Sequence, residues 1–255
     1  MKRKRTFKKM RREASLIMAR WLGKLSAPFD YAFLTDDVPM AKNYTHLEWF
    51  EKLVAKYNKP GMRILEIGSR EVTPRSVIRS KRFENAEYIG FDFYAGPNVD
   101  VVGDAHKLSS YFKNGEKFDL IFSTSCFEHF AMPWVVATEI DKLLKISGTV
   151  FIETHFSFSA HERPWNFFQF SDMGLKVLFS PAMGYRCIET GFDNPIVGRF
   201  SNKAAKYLRG SLLKSLYCHI EFYAEKMEHI SDFDWQQVQL DEVVGDTKYP
   251  APPVN

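Results

Sequence analysis

Two short apolar runs, each ending beside an acidic residue, constrain the fold of this chain more than any other feature. The first run, 63–67, contains Glu66 and is followed by Gly68, and the second, 88–91, is followed by Asp92. This spacing is typical of a βαβ unit that holds a nucleotide-like ligand. The backbone turns tightly under the ligand after the first strand, and a carboxylate at the end of the second strand accepts the ribose hydroxyls.

The residues that follow Gly68 argue against a dinucleotide as this ligand. A pyrophosphate requires a close backbone approach at several glycines, whereas Ser69, Arg70 and Glu71 follow here. A nicotinamide dehydrogenase is therefore a distant alternative. A bulky, acidic turn suits a ligand without phosphate, and S-adenosylmethionine is such a ligand.

Two motifs resemble those of the class I S-adenosylmethionine-dependent methyltransferases. They are the run 65–70, Leu-Glu-Ile-Gly-Ser-Arg, and the later Phe127-Glu128-His129. The resemblance covers about residues 45–230 and is strongest to small-molecule enzymes of the methyltransferase type 11-like family. That subgroup is often associated with polysaccharide and glycosyl-transfer pathways. The resemblance implies transfer of a methyl group from S-adenosylmethionine to a small-molecule or saccharide acceptor, at oxygen.

The periodicity of the chain predicts an α/β fold, because strand and helix patterns alternate after residue 45. We expect a Rossmann-like, mostly parallel sheet with helices on both faces, and the resemblance implies seven strands with the last one antiparallel. Predicted strands lie at 62–67, 88–91, 99–102, 118–122, 149–154, 185–190 and 217–226. Predicted helices lie at about 45–58, 74–82, 105–112, 133–145, 172–180 and, in a basic stretch, 201–214.

Charge divides the chain into a basic arm and a mildly acidic body. Residues 1–24 hold ten of the 35 basic residues and one of the 31 acidic residues. Apolar residues recur through 1–25 at steps of three, four or seven, as in an amphipathic helix. Such an arm can lie on an anionic membrane surface, contact nucleic acid, or act as a solubilising tail, and nucleic acid is the weaker expectation.

We divide the chain into an arm with a linker or lid (1–44), a methyltransferase domain (45–230) and a tail (231–255). No apolar run reaches the 18 residues of a spanning helix, and Arg20 interrupts the short apolar run 16–22. Three widely spaced cysteines predict a reducing compartment. We expect a cytoplasmic protein, with peripheral contact of the arm to the inner membrane face as the alternative that stays open.

The cofactor-binding residues implied by the resemblance follow the ends of the first four strands. Glu66, Gly68 and Ser69 are expected at the methionine part, and Asp92 with Phe93 at the ribose. Asp104 and Ala105 correspond to the adenine-edge position, although Asp104 also has the sequence context of a helix N-cap. Ser123, at the end of strand four, completes the expected set of cofactor residues.

The candidate acceptor residues lie after strands four and five. His129, His155 and His161 are the catalytic candidates, because imidazole can remove a proton near neutral pH. Glu128, Arg163 and Trp165 are the substrate-binding candidates, with Arg163 suited to an anionic group and Trp165 to stacking on a sugar or ring. The alternative for these residues is a packed aromatic loop with hydrogen-bonded histidines.

The absence of certain motifs argues against some classes of methyl transfer. No Asn/Asp-Pro-Pro-aromatic run follows strand four, so amine methylation of a flipped base is not expected. The sequence shows no carboxylate cluster for a divalent ion, and we therefore expect metal-free chemistry. Two rival functions stay open: an RNA methyltransferase recruited by the basic arm, and a non-catalytic binding module in which residues 69–71 close the pocket.

Overall fold

The structure is a computed structural model, and it describes residues 2–33, 46–72, 79–113 and 115–244. The chain forms two compact units. One comprises residues 1–38 and 195–216, and the other comprises residues 39–194 and 217–255. The second unit contains the large sheet and the pocket described below.

Nine strands form two sheets within the described residues. They are β1 (Arg63–Ile67), β2 (Glu87–Asp92), β3 (Val101–Val102), β4 (Phe118–Thr124), β5 (Leu144–His155), β6 (Tyr185–Pro195), β7 (Gly198–Arg199), β8 (Leu212–Leu213) and β9 (Tyr217–Lys226). The large sheet has the order β3-β2-β1-β4-β5-β9-β6, and β7 pairs with β8. Strands β1 to β5 pair in parallel and β9 runs antiparallel to β5. The predicted seven-stranded, mostly parallel fold is confirmed.

The helices are α1 (Lys2–Ser26), α2 (His46–Tyr57), α3 (Pro133–Leu143), α4 (Asp172–Leu178) and α5 (Leu240–Val244). Short 3₁₀ helices lie at Ala27–Phe33, Arg79–Arg82, Ala105–Tyr111, Phe127–His129 and Pro181–Met183. Pro133 begins α3, where its missing N–H costs no helical hydrogen bond. The Ser171 side chain caps α4 by accepting from the Gly174 N–H.

Both faces of the central strands are buried, which explains why their sequences read as continuous apolar runs. On one face, Ile64 and Leu120 pack with Trp49 of α2 in a single cluster. The alternate residues Leu65 and Ile121 face the other way, and they are also fully buried. The sheet is therefore covered on both sides, and ligands can reach it only at its edges.

Several predicted elements differ from the structure, among them β6, which ends at Pro195, five residues beyond its predicted end. The stretch 201–214 is not a helix: a turn at Ser201 and a left-handed Gly210 lead instead into β8. The 105–112 segment is 3₁₀ rather than α, with non-helical angles at Lys107. Strand β5 begins at Leu144, five residues before its predicted start, and a register shift separates this start from the main ladder. Of the predicted helix 74–82, residues 74–78 lie outside the described residues.

The basic arm is helical, as predicted, and its apolar side chains face solvent. Seven of the described ones are each more than half exposed: Met10, Leu16, Ile17, Met18, Trp21, Leu22 and Leu25. Among the helices of the described chain, none is both long enough and apolar enough to cross a bilayer.

Candidate active site

A pocket of about 410 Å³ opens where β1, β2 and β4 end. The carboxyl ends of parallel strands meet at one edge of the sheet, and ligands of this fold bind in the crevice outside that edge. Seven of the predicted site residues line the pocket: Gly68, Asp92, Phe93, Asp104, Ala105, His129 and Trp165. The structure thus brings residues of both predicted groups to a single cavity.

The turn after β1 requires a glycine. Gly68 has a φ of +83°, in the left-handed region, and a Cβ there would lie 2.8 Å from the Cys126 Sγ. The N–H groups of Gly68 and Ser69 both donate to the Phe91 carbonyl, at 2.8 and 3.1 Å. These two hydrogen bonds tie the turn to the end of β2 and hold the backbone of Gly68 at the pocket wall.

Asp92, the last residue of β2, lines the pocket and already has protein partners. Its Oδ1 accepts from the Tyr94 backbone N–H at 2.9 Å and from the Arg70 Nε at 3.3 Å. Its Oδ2 accepts from the Arg70 backbone N–H at 3.3 Å. A carboxylate has about four acceptor sites, so Asp92 retains capacity for a ligand hydroxyl. Arg70 lies beside Asp92 and would compete with such a hydroxyl.

Asp104 caps the 3₁₀ helix and also faces the pocket. Its Oδ1 accepts from the His106 backbone N–H at 2.9 Å and lies 2.7 Å from His106 Nδ1. His106 Nε2 accepts from the Met132 N–H, which leaves the ring proton on Nδ1 and directed at Asp104. Partial burial opposes ionisation, yet the hydrogen bonds from His106 outweigh it and lower the pKa of Asp104. Asp104 is therefore a cap, as the sequence context suggested, and it also lines the pocket, while its contact with adenine stays a prediction.

Three predicted cofactor residues do not line the pocket. Glu66 is completely buried and pairs with Arg79 Nη1 at 2.6 Å, with the Tyr88 hydroxyl donating to its other oxygen. Burial is the main reason why the pKa of Glu66 is raised. Ser123 donates its hydroxyl to the Ile67 carbonyl, and the Ser69 side chain is buried. All three lie behind the wall of the pocket rather than in it.

The loop after β5 supplies the opposite wall. The N–H groups of Phe167 and Phe168 both donate to the Glu128 carbonyl, at 2.9 and 3.2 Å, which fixes the loop to the end of β4. Trp165 lines the pocket and is half exposed, and its ring lies 6.0 Å from that of Phe93. Arg163 is exposed and does not line the pocket.

Glu128 lies at the centre of a group of imidazoles. Its Oε1 is 2.6 Å from His155 Nδ1, 3.8 Å from His129 Nε2 and 3.9 Å from His161 Nε2. Its Oε2 accepts from the Thr154 hydroxyl at 2.6 Å. Burial opposes ionisation of Glu128, but His155 and Thr154 outweigh it and lower its pKa. Of these imidazoles, only that of His129 lines the pocket.

The interpretation of the sequence missed several pocket residues. Tyr94, Cys126, Phe130 and Glu162 line the cavity, and none of them was a site candidate from the sequence. Ser125, with a φ of +49°, turns the chain so that Cys126 lies against Gly68. A serine does not predict a left-handed backbone, so the sequence contained no signal that Cys126 would lie at the pocket.

A family described as a methyltransferase domain matches residues 40–192, more than half of the chain. A search of curated proteins by sequence finds no match.

Solved structures similar to this chain include a SAM-dependent methyltransferase from Archaeoglobus fulgidus, with 17% identity and a TM-score of 0.49 over 71% of this chain and 95% of that one. They also include the 1,6-didemethyltoxoflavin-N1-methyltransferase of Burkholderia thailandensis, with 14% identity and a TM-score of 0.49 over 84% and 89%. The YcgJ protein of Bacillus subtilis has 15% identity and a TM-score of 0.49 over 72% and 100%.

The family match covers the strands that form the pocket, from β1 through most of β6. Because the parallel sheet with an antiparallel strand beside β5 is also present, the chain belongs to the class I S-adenosylmethionine-dependent methyltransferases.

Proposed function

We propose that this protein transfers a methyl group from S-adenosylmethionine to an oxygen atom of a small-molecule or glycan-like acceptor. The observation that carries the proposal is the arrangement of the pocket. The carboxylates of Asp92 and Asp104 lie on its walls together with the imidazole of His129 and the indole of Trp165.

The donor set of the pocket fits the cofactor. Asp92 lines the pocket at the end of β2 and would accept the ribose hydroxyls, as a carboxylate does at this position of the fold. Asp104 Oδ2 accepts no hydrogen bond from the described residues and is suited to an exocyclic amine. The N–H of Ala105 would serve a ring nitrogen of the adenine. Pocket residues such as Phe130 and Ile67 offer apolar surface for the rest of the ligand.

S-adenosylmethionine supplies a methyl group activated by a sulfonium, so the protein mainly has to hold the acceptor oxygen in line with it. We assign a supporting role to the residues behind the wall. Glu66, held by Arg79, fixes the end of β1, and Ser123 holds the Ile67 carbonyl. Gly68 lets the backbone approach the ligand closely.

His129 is the proposed base. Its Nδ1 lies 2.6 Å from the Trp165 carbonyl, which can only accept, so Nδ1 carries the ring proton and Nε2 carries the lone pair. Nε2 lies 3.8 Å from carboxylate oxygens of both Glu128 and Glu162. These negative charges would stabilise the imidazolium that forms when Nε2 accepts the proton of the acceptor hydroxyl.

Trp165 and Phe93 form an aromatic wall that suits the apolar face of a sugar or a planar ring. Arg163 is close in sequence but exposed, and we assign it to an anionic substituent that extends out of the pocket.

A direct test is incubation of the purified protein with S-adenosylmethionine and separate sets of sugar nucleotides, oligosaccharides, phenols and short RNAs. Formation of S-adenosylhomocysteine and an O-methylated saccharide or phenol supports the proposal. Turnover with RNA alone supports the rival RNA methyltransferase. Cofactor binding without turnover on any set favours the non-catalytic module.

The exposed apolar side of α1 carries a second proposal, that the arm lies on an anionic membrane surface. Trp21 and Leu22 are exposed on a helix rich in lysine and arginine, which combines apolar burial with charge attraction. Co-sedimentation with anionic vesicles should be strong for the full chain and weak for the double variant Trp21→Ala, Leu22→Ala. Equal partitioning of the two proteins would contradict the membrane role, and so would equal binding to zwitterionic vesicles.

A further inference from the structure

The group of side chains around Glu128 has no explanation in the binding of S-adenosylmethionine. Three imidazoles, from His129, His155 and His161, converge on one carboxylate oxygen from three separate segments of the chain. The Glu128 carboxylate is fully buried, and the His155 side chain is nearly so. Such a set is costly to bury unless its charges are compensated.

The tautomers of two of these rings make the convergence unusual. His161 Nδ1 lies 2.9 Å from the Ser159 carbonyl, and His129 Nδ1 lies 2.6 Å from the Trp165 carbonyl. A carbonyl only accepts, so both rings carry their proton on Nδ1. In the neutral state, both therefore direct an Nε2 lone pair toward the anionic Glu128 oxygen, at 3.9 and 3.8 Å. Lone pairs facing a carboxylate repel it unless a cation lies between them.

We propose that Glu128, His155 and His161 bind a divalent transition-metal ion. One carboxylate and two imidazoles, with open positions left over, are a donor set that suits Zn²⁺ and related ions. The ligand atoms of these three residues all lie within 4.8 Å of one another. The set lacks the oxygen-only character that Ca²⁺ or Mg²⁺ prefers.

Two of the three separations between ligand atoms need only small movements to form the site. Ligand bonds of about 2.0–2.1 Å in a tetrahedral site place ligand atoms about 3.3 Å apart. The Glu128–His161 separation of 3.9 Å would shorten, and the Glu128–His155 separation of 2.6 Å would lengthen. Both changes are below about 1 Å, and His161 belongs to a loop outside the regular strands and helices.

The surroundings are those of a metal site. Metal-binding imidazoles usually donate their second N–H to a carbonyl or carboxylate, and ligating carboxylates are themselves hydrogen-bonded. His161 donates to Ser159, and the Glu128 Oε2 accepts from Thr154. The outer contacts that orient two of the three ligands are therefore already formed.

The proposed ion adjoins the pocket through His129, whose Nε2 lies 3.8 Å from the shared Glu128 oxygen. This inference deepens the proposed function and rests on it for the role of the metal. With the ion bound, the Glu128 charge is neutralised by the metal and no longer stabilises a His129 imidazolium. The open coordination positions instead offer a place for an acceptor hydroxyl, whose acidity the ion would increase before the proton leaves. The sequence led us to expect metal-free chemistry. A metal site beside the pocket would contradict that expectation.

The test is calorimetric titration of the chelator-treated, full-length protein with Zn²⁺, with parallel Co²⁺ titrations followed by visible absorption. We expect one ion per chain, a Co²⁺ spectrum typical of nitrogen and oxygen ligands, and a loss of affinity of at least about 100-fold in His161→Ala. Glu128→Gln should weaken binding as well. The control is His229→Ala, because His229 is half exposed and contacts Asp141 rather than Glu128. Its affinity should equal that of the wild type.

Either of two results would overturn the metal site. One is the absence of saturable Zn²⁺ binding. Protons on His129 and His161 would then balance the charge of Glu128 without a metal ion. The other is unchanged affinity in His161→Ala together with loss of binding in Cys218→Ser, which would place the ion at the neighbouring group His155, Cys218 and His219. Titration of the same samples with S-adenosylmethionine separates the two proposals, because cofactor binding without metal binding refutes only the metal site.

Discussion

The two walls of the pocket are built in different ways. On the wall where we propose that the cofactor binds (the cofactor wall), Gly68 follows β1, Asp92 ends β2 and Asp104 caps the next helix, so their positions follow from the topology of the sheet. On the acceptor wall, His129 and Trp165 come from segments 36 residues apart and meet only because a loop docks on the end of β4. Strand ends thus fix one half of the site, and tertiary packing fixes the other.

The largest effect is expected on the acceptor wall, from His129→Gln. Loss of a positioned base typically reduces kcat by about 10²–10⁴-fold, whereas cofactor affinity should change little. The measurement is steady-state kinetics beside cofactor calorimetry. An equal fall in cofactor affinity would show that His129 also contributes to cofactor binding, which would contradict the division of the pocket into two walls.

On the cofactor wall, Asp92→Ala should lower the affinity for S-adenosylmethionine by about 100-fold, because two hydrogen bonds to a charged group are lost. Asp232→Ala, an exposed loop substitution, is the matched control. Calorimetry and circular dichroism together check binding and folding. Unchanged affinity in a folded Asp92→Ala protein would remove the proposed ribose role.

The pH dependence of stability should reveal the buried Glu221 of β9, which pairs with β5. Burial and the directly opposed Glu153 raise its pKa from 4.5 to about 9, so it is protonated in the folded protein at neutral pH. The folded state then holds a proton that the unfolded state releases, and stability falls as pH rises between these two values. The slope contributed is at most about 1.4 kcal/mol per pH unit. Urea unfolding across this window should show a flatter pH dependence for Glu221→Gln than for the wild type, and identical slopes would contradict the assignment.

Gly68→Ala tests whether the turn after β1 fixes the cofactor wall. The left-handed backbone costs a non-glycine residue about 1–2 kcal/mol, and the new methyl group would collide with Cys126. We expect a lower free energy of unfolding and weaker cofactor binding. Gly23→Ala, in the open helix α1, provides a glycine control without a clash. Equal stability of the two variants would show that the turn after β1 is not constrained.

The smallest effect is expected from Arg70→Gln. Its partly exposed ion pair with Asp92 is worth about 0.2–1 kcal/mol, so removing this competitor should increase cofactor affinity by less than about 5-fold. A decrease measured by calorimetry would show that Arg70 helps to hold the ligand instead of competing with it.

The sequence was sufficient to predict the sheet and to bring five of the eight cofactor candidates to the pocket wall, because apolar runs and the acids that follow them are local signals. Their contacts with the cofactor stay predictions. It was insufficient for Glu66, whose burial against Arg79 depends on packing of a distant segment. The predicted helix at 201–214 failed because its pattern of lysines and leucines contains a glycine that adopts a left-handed turn. The group around Glu128 was hidden because its members, 128, 155 and 161, share no motif.

The most direct test of the account is calorimetric titration of the full-length protein with S-adenosylmethionine and, separately, with NADH. The geometry of Asp92, Asp104 and Gly68 predicts saturable binding of S-adenosylmethionine alone, with one site per chain, and its loss in Asp92→Ala. Binding of NADH in preference, or of neither ligand, would contradict the assignment of the pocket.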